Sequence, residues 1–115
     1  MMTKAFLLVE DEALIRMMLA DMIEELGHQV TAEAGTIDQA MSLASTSKFD
    51  AAILDINLDG SQITPVADIL AKRRIPFLFA SGYGSGGIPE SFSDRPVLRK
   101  PFQIEDLERM VRSLS

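Results

Sequence analysis

Five polar side chains stand directly behind apolar runs. Glu10 and Asp11 follow "AFLLV" (5–9), and Asp55 follows "AAIL" (51–54). Ser81 follows "PFLFA" (76–80), and Lys100 follows "PVLR" (96–99). Three carboxylates, a hydroxyl and an ammonium have a shared chemistry if the fold brings them together. Hard carboxylate and carbonyl oxygens in a small cluster suit Mg²⁺, which keeps several waters and prefers octahedral geometry. Without a cation the acids raise one another's pKa. With one, a phosphoryl group can approach a carboxylate nucleophile while the lysine and the hydroxyl meet its oxygens.

Each residue also has a plainer reading. Acids in a first helical turn favour the macrodipole, which by itself accounts for Glu10 to Glu12. Asp55 alone reads as a turn residue, Ser81 as a loop hydroxyl beside glycine, and Lys100 as a solvated charge. Their common position at the carboxyl ends of apolar runs favours the functional reading.

The elements that position them follow from periodicity. The apolar runs alternate with amphipathic segments. The first helix is predicted over 13–26, with Ile15, Met18, Leu19, Met22 and Leu26 as its core face and Gly27 as its stop. A weaker strand, "QVTAEA" (29–34), comes next. Thr36 and Gln39 form a capping box for a helix to about Thr46. Thr64 and Pro65 read as an N-cap and first helical residue, opening a helix to about Arg73. The last helix, "QIEDLERMVRSL", has Ile104, Leu107, Val111 and Leu114 in register. Alternation of this kind predicts one α/β domain over 1–115, a doubly wound five-stranded parallel sheet of order 2-1-3-4-5. In that order the first and third strands are neighbours, so Glu10, Asp11 and Asp55 meet at one sheet edge.

The interval 81–95 breaks the rhythm, with four glycines, four serines and a proline. Glycine costs a helix interior about 1 kcal/mol relative to alanine. The fourth helix should therefore be degenerate, at most a short, mobile helix.

Composition narrows the classes. The chain has 115 residues, 47% of them hydrophobic, and a net charge of −6. Such a charge disfavours nucleic acid or an anionic membrane as partner. There is no cysteine, so disulfides and thiolate metal sites are excluded. No apolar stretch approaches the roughly 20 residues of a membrane helix, and no signal peptide is evident, so the cytoplasm is the expected location. The seven methionines read as core filling, and His28 as a surface loop residue.

The ordered set "LLVEDE", "AAILDINL", "FLFASG" and "VLRKPF" resembles the response-regulator receiver domain of two-component signalling, over essentially the whole chain. The resemblance implies a flavodoxin-like receiver fold with Asp55 as phosphoacceptor. It implies Mg²⁺ bound by Glu10, Asp11 and Asp55, with the backbone carbonyl of Asn57 completing the site. Ser81 would be the switch hydroxyl and Lys100 the lysine on the phosphoryl group, with the bond before Pro101 in cis. The phosphoryl donor would be a histidine kinase or a histidine phosphotransfer protein, and a downstream protein partner would read the outcome. Val97 stands where many members carry an aromatic switch, which leaves signal transmission to the 81–95 segment, with Tyr83 as reporter. In the family the first helix docks on the kinase's helical hairpin. Leu14 and Met17 fall outside the core face beside the acids and are expected to be exposed docking residues. "PFLFASGYG" is similar to the "PFxFATGY" signature of the FAT GUY receivers, a single-domain subgroup. It implies a stand-alone switch in general stress signalling. The alternatives are a pseudo-receiver that is never phosphorylated, a Mg²⁺-dependent phosphatase with an aspartate nucleophile, and, weakest, a flavodoxin.

Overall fold

The apolar runs pair side by side. β1 (Ala5–Val9), β2 (Gln29–Ala34), β3 (Ala51–Asp55), β6 (Phe77–Ser81) and β7 (Val97–Arg99) form a parallel sheet of order β2-β1-β3-β6-β7. The structure is a computed structural model describing residues 3–58, 60–82 and 88–114. Its sheet has the predicted order. A two-stranded antiparallel ribbon of β4 (Asn57–Leu58) and β5 (Ser61–Gln62) follows β3 and was not anticipated. Two-residue strands carry too little periodicity to be read in advance. Gly60 in this ribbon has φ of +82°, a conformation glycine adopts without penalty.

Among the described residues, four helices cover both faces: α1 (Ala13–Glu25), α2 (Ile37–Thr46), α3 (Thr64–Lys72) and α4 (Ile104–Ser113). Alternate side chains of each central strand point to opposite faces. Leu7, Val9, Leu54, Phe77 and Phe79 pack with α2 and α3 through Ala40, Ala44, Val66 and Leu70. Phe6, Leu8, Ile53 and Leu98 pack on the other side with Leu19 and Ile23 of α1 and Leu107 and Val111 of α4. β3 and β6 are buried throughout, as strands covered on both faces must be.

Local expectations needed three adjustments. Met18 is 47% exposed, and Ile23 is fully buried in its place. At 100° per residue the buried stripe centres between Leu19 and Ile23, and Met18 lies about 120° away. Two of the methionines, Met17 and Met18, are therefore surface residues rather than core filling. α3 begins at Thr64, with Ile63 at the N-cap and no side-chain cap; Pro65 keeps its place in the first turn. His28 is half-buried: its Nδ1 accepts from the Lys4 N–H at 3.0 Å, and its ring leans on Phe6.

The Thr36 cap forms as expected. Its hydroxyl accepts from the Gln39 N–H at 3.2 Å, while the Gln39 side chain reaches back to the Gly35 N–H at 3.0 Å. Thr36→Ala is expected to cost about 1 kcal/mol, or about 4 °C in thermal midpoint, measurable by calorimetry. A change within error would show that α2 does not depend on this cap.

Among the described residues of the interval before β7, Glu90–Phe92 forms a 3-10 turn. Phe92 is buried edge-on to Phe77 at 5.5 Å, and the Arg95 guanidinium covers Phe77 at 4.3 Å. Tyr83 lies outside the described residues.

Candidate functional site

Register explains how distant residues meet. β1 and β3 are paired from Phe6–Ala51 to Val9–Leu54, so the residues that follow them emerge side by side. Asp55 pairs with Ala80 on β6, and Ser81 with Arg99 on β7. Glu10, Asp11 and Asp55 each place a carboxylate oxygen within 4.8 Å of the others. The Lys100 Nζ lies 2.9 Å from Glu10 Oε1 and 3.6 Å from Asp55 Oδ2. The Lys100 N–H donates to the Ser81 carbonyl at 2.9 Å, which ties β7 to β6 at the site. Glu10, Asp55 and Ser81 are buried, and Asp11 is half-buried. The Lys100–Pro101 peptide is cis. Asn57 lies two residues beyond Asp55, in β4 opposite Gln62.

α1 begins at Ala13 with no acid in its first turn, so the first-turn reading of Glu10 to Glu12 does not hold. Glu10 Oε2 accepts from the N–H of Glu12, the N-cap of α1, at 3.1 Å. Glu12 itself makes no side-chain cap. Its other oxygen is different. Glu10 is 1% exposed, yet Oε1 has no directed hydrogen bond among the described residues. The ammonium beside it forms an ion pair without hydrogen-bond geometry. The Lys100 charge at 2.9 Å compensates this buried oxygen.

Burial pushes the Asp55 carboxyl up from 3.8 to about 7, with the Glu10 charge and contact and the Asp11 charge adding to it and Lys100 opposing. Burial works against the Lys100 charge, but contact with Glu10 and the charge of Asp55 outweigh it, so its pKa lies above the ordinary lysine value.

These residues fit a hard divalent cation. The donors are carboxylate oxygens, one of them buried without a directed partner. The three oxygens lie within 4.8 Å of one another, near enough for one such cation to be shared by all three.

Sequence reasoning missed Arg16. Its Nη1 donates to the Glu10 carbonyl at 2.6 Å, and its Nε to Glu33 Oε1 at 3.1 Å. On a helical wheel Arg16 looks like one more surface cation. The available signal was the pairing of a buried acid with an arginine one turn into the next helix. Leu14 and Met17 are 68% and 62% exposed, as expected.

Comparison with known proteins matches residues 6–112 to the response regulator receiver domain. The chain belongs to that family. This receiver domain is 36% identical to the transcriptional regulatory protein PdtaR of Mycobacterium tuberculosis over 107 residues, 88% of the chain and 51% of PdtaR. It is 37% identical to the phyllosphere-induced regulator PhyR of Methylorubrum extorquens over 119 residues, 96% of the chain and 43% of PhyR. It thus spans about half the length of the curated relatives it matches. Among solved structures, the solution structure of SdrG from Sphingomonas melonis superposes with a TM-score of 0.87 at 41% identity, covering 96% of this chain and 95% of SdrG. PdtaR and PhyR are named as regulators, and membership of the receiver family leaves the phosphatase and flavodoxin alternatives without support. Among the described residues of this receiver domain, no helix is long and apolar enough to cross a membrane.

Proposed function

We propose that this receiver domain is a phosphorylation-driven switch with Asp55 as acceptor and Mg²⁺ held by Glu10, Asp11, Asp55 and the Asn57 carbonyl. The observation that carries this reading is the convergence of the three carboxylates with Lys100 on one buried edge. An Asp55 oxygen attacks the phosphorus of a phosphohistidine or of acetyl phosphate. The P–O bond to Asp55 forms as the bond to imidazole or acetate breaks, and the leaving group takes that electron pair. Lys100 and the Ser81 hydroxyl meet the phosphoryl oxygens. Bound Mg²⁺ supplies positive charge that keeps Asp55 ionised and neutralises the incoming phosphoryl group. The decisive experiment is acetyl phosphate labelling with and without Asp55.

The donor is a histidine kinase or a histidine phosphotransfer protein. Support comes from the surface beside the site. Leu14, Met17 and Met18 are exposed on α1, and a hollow of about 380 Å³ lined by Ile15, Met18, Lys100, Pro101 and Phe102 adjoins them. An apolar patch rimming a charged site suits a helical partner. Changing Leu14 and Met17 together to lysine is expected to slow transfer from the cognate donor at least ~10-fold, the effect of losing ~1.4 kcal/mol of contact energy. Labelling by acetyl phosphate should stay at the wild-type rate. Parallel loss of both routes would make these residues structural and end the docking assignment.

Membership of the FAT GUY subgroup is supported by "PFLFASGYG". A downstream protein partner is supported by the likeness to PhyR of Bartonella quintana, titled an anti-anti-sigma factor, at 30% identity over 96% of this chain and 46% of that one.

A further inference from the structure

Both backbone polar groups of Glu10 are held from outside its own turn. Its N–H donates to the Ala34 carbonyl at 3.0 Å, and its carbonyl accepts from Arg16 Nη1 at 2.6 Å. The same guanidinium reaches Glu33 of β2 through Nε, at 3.1 Å. A planar guanidinium can serve a carbonyl and a carboxylate at once in fixed directions, which an ammonium on a flexible stem does not reproduce.

Gly35 completes the arrangement. A Cβ at this position would lie 3.0 Å from Arg16 Nη1 and 3.9 Å from the Glu10 carbonyl oxygen. Gly35 is not among the glycines of positive φ, so its conformation is open to any residue. Its lack of a side chain here provides space, and the guanidinium fills that space.

We propose that Arg16 is a positioning residue for the acidic site. By joining the Glu10 carbonyl to Glu33, it sets the turn between β1 and α1 that presents the Glu10 and Asp11 carboxylates. This rests on the Mg²⁺ site proposed above. The charge of Arg16 works in the opposite direction, because a cation near a cation site opposes metal binding. Geometry and charge therefore give effects of opposite sign, and one measurement separates them.

The test is titration of the metal-free chain with Mg²⁺ alone, followed by backbone amide chemical shifts, for the wild type, Arg16→Met and Gly35→Ala. Arg16→Met keeps the apolar stem and removes the fork and its charge. Gly35→Ala changes no charge and displaces the guanidinium by a few tenths of an ångström. Both variants are expected to weaken Mg²⁺ binding, Arg16→Met by ~10-fold or more, as for loss of a group that orients metal ligands. Unchanged or tighter binding by a folded Arg16→Met overturns the proposal, since that is the outcome of charge alone. If Arg16→Met does not fold, Gly35→Ala decides, and wild-type affinity in that variant overturns it. If the wild type shows no shifts with Mg²⁺, the metal site itself falls, and this role falls with it.

Discussion

Incubated with acetyl phosphate and Mg²⁺, this receiver domain is expected to gain one phosphoryl group, and Asp55→Asn should gain none. Intact mass reads the outcome directly. Asp55 is the only one of the three acids that ends a central strand of the sheet, with β1 and β6 on either side. It is also the carboxylate that faces both Glu10 and the Lys100 ammonium. An amide at this position keeps the shape and removes the nucleophile, so labelling should fall to background rather than decline in degree. The variant should fold well, because burial and the neighbouring carboxylates oppose the Asp55 charge. Labelling of Asp55→Asn at the wild-type level would move the acceptor elsewhere. Absence of labelling in both proteins would favour the pseudo-receiver alternative.

The second large effect joins pH to Mg²⁺. The Asp55 carboxyl titrates at about 7 in the metal-free fold against 3.8 as its ordinary value. Between those values the folded chain holds a proton that the unfolded chain has released. Stability then falls as pH rises through this window and levels off above it. One such group contributes at most about 1.4 kcal/mol per pH unit. Asp55→Asn lacks the group, so the difference in thermal midpoint between the two proteins should widen from pH 5 to about pH 7.5, with the variant the more stable at the upper end. The proposed Mg²⁺ site takes the ionised form of Asp55, so the cation should reverse the trend in the wild type alone. At ten times its dissociation constant it adds about 1.4 kcal/mol. A midpoint at pH 7.5 unmoved by millimolar Mg²⁺ would refute the cation site. A wild-type and variant difference that does not change with pH would show that Asp55 ionises normally.

The alternation of short apolar runs with amphipathic helices was enough to derive the doubly wound sheet and its strand order, because parallel strands with right-handed crossovers leave few topologies. From that order alone, Glu10, Asp11, Asp55, Ser81 and Lys100 had to share one edge of the sheet. Their chemistry was legible because each residue sits at the end of an apolar run, where period and polarity change together. The resemblance to the receiver family rested on the same positions. What the sequence could not decide was set by contacts between elements distant in the chain. Whether Met18 or Ile23 faces the core depends on the rotation of α1 against the sheet, which a wheel drawn from one helix leaves open by tens of degrees. The ribbon of β4 and β5 is too short to have a period. The state of Glu10 is a tertiary property: its burial and its ion pair with Lys100 ninety residues away arise only when β1, β3 and β7 are assembled. Arg16 is the clearest case. Its type and spacing mark it as solvated, and only the packed sheet shows Glu33, the Glu10 carbonyl and the space at Gly35 closing around one guanidinium. Local patterning encodes which face of an element is apolar, whereas a polar contact between elements needs their relative placement, and only the folded structure supplies it.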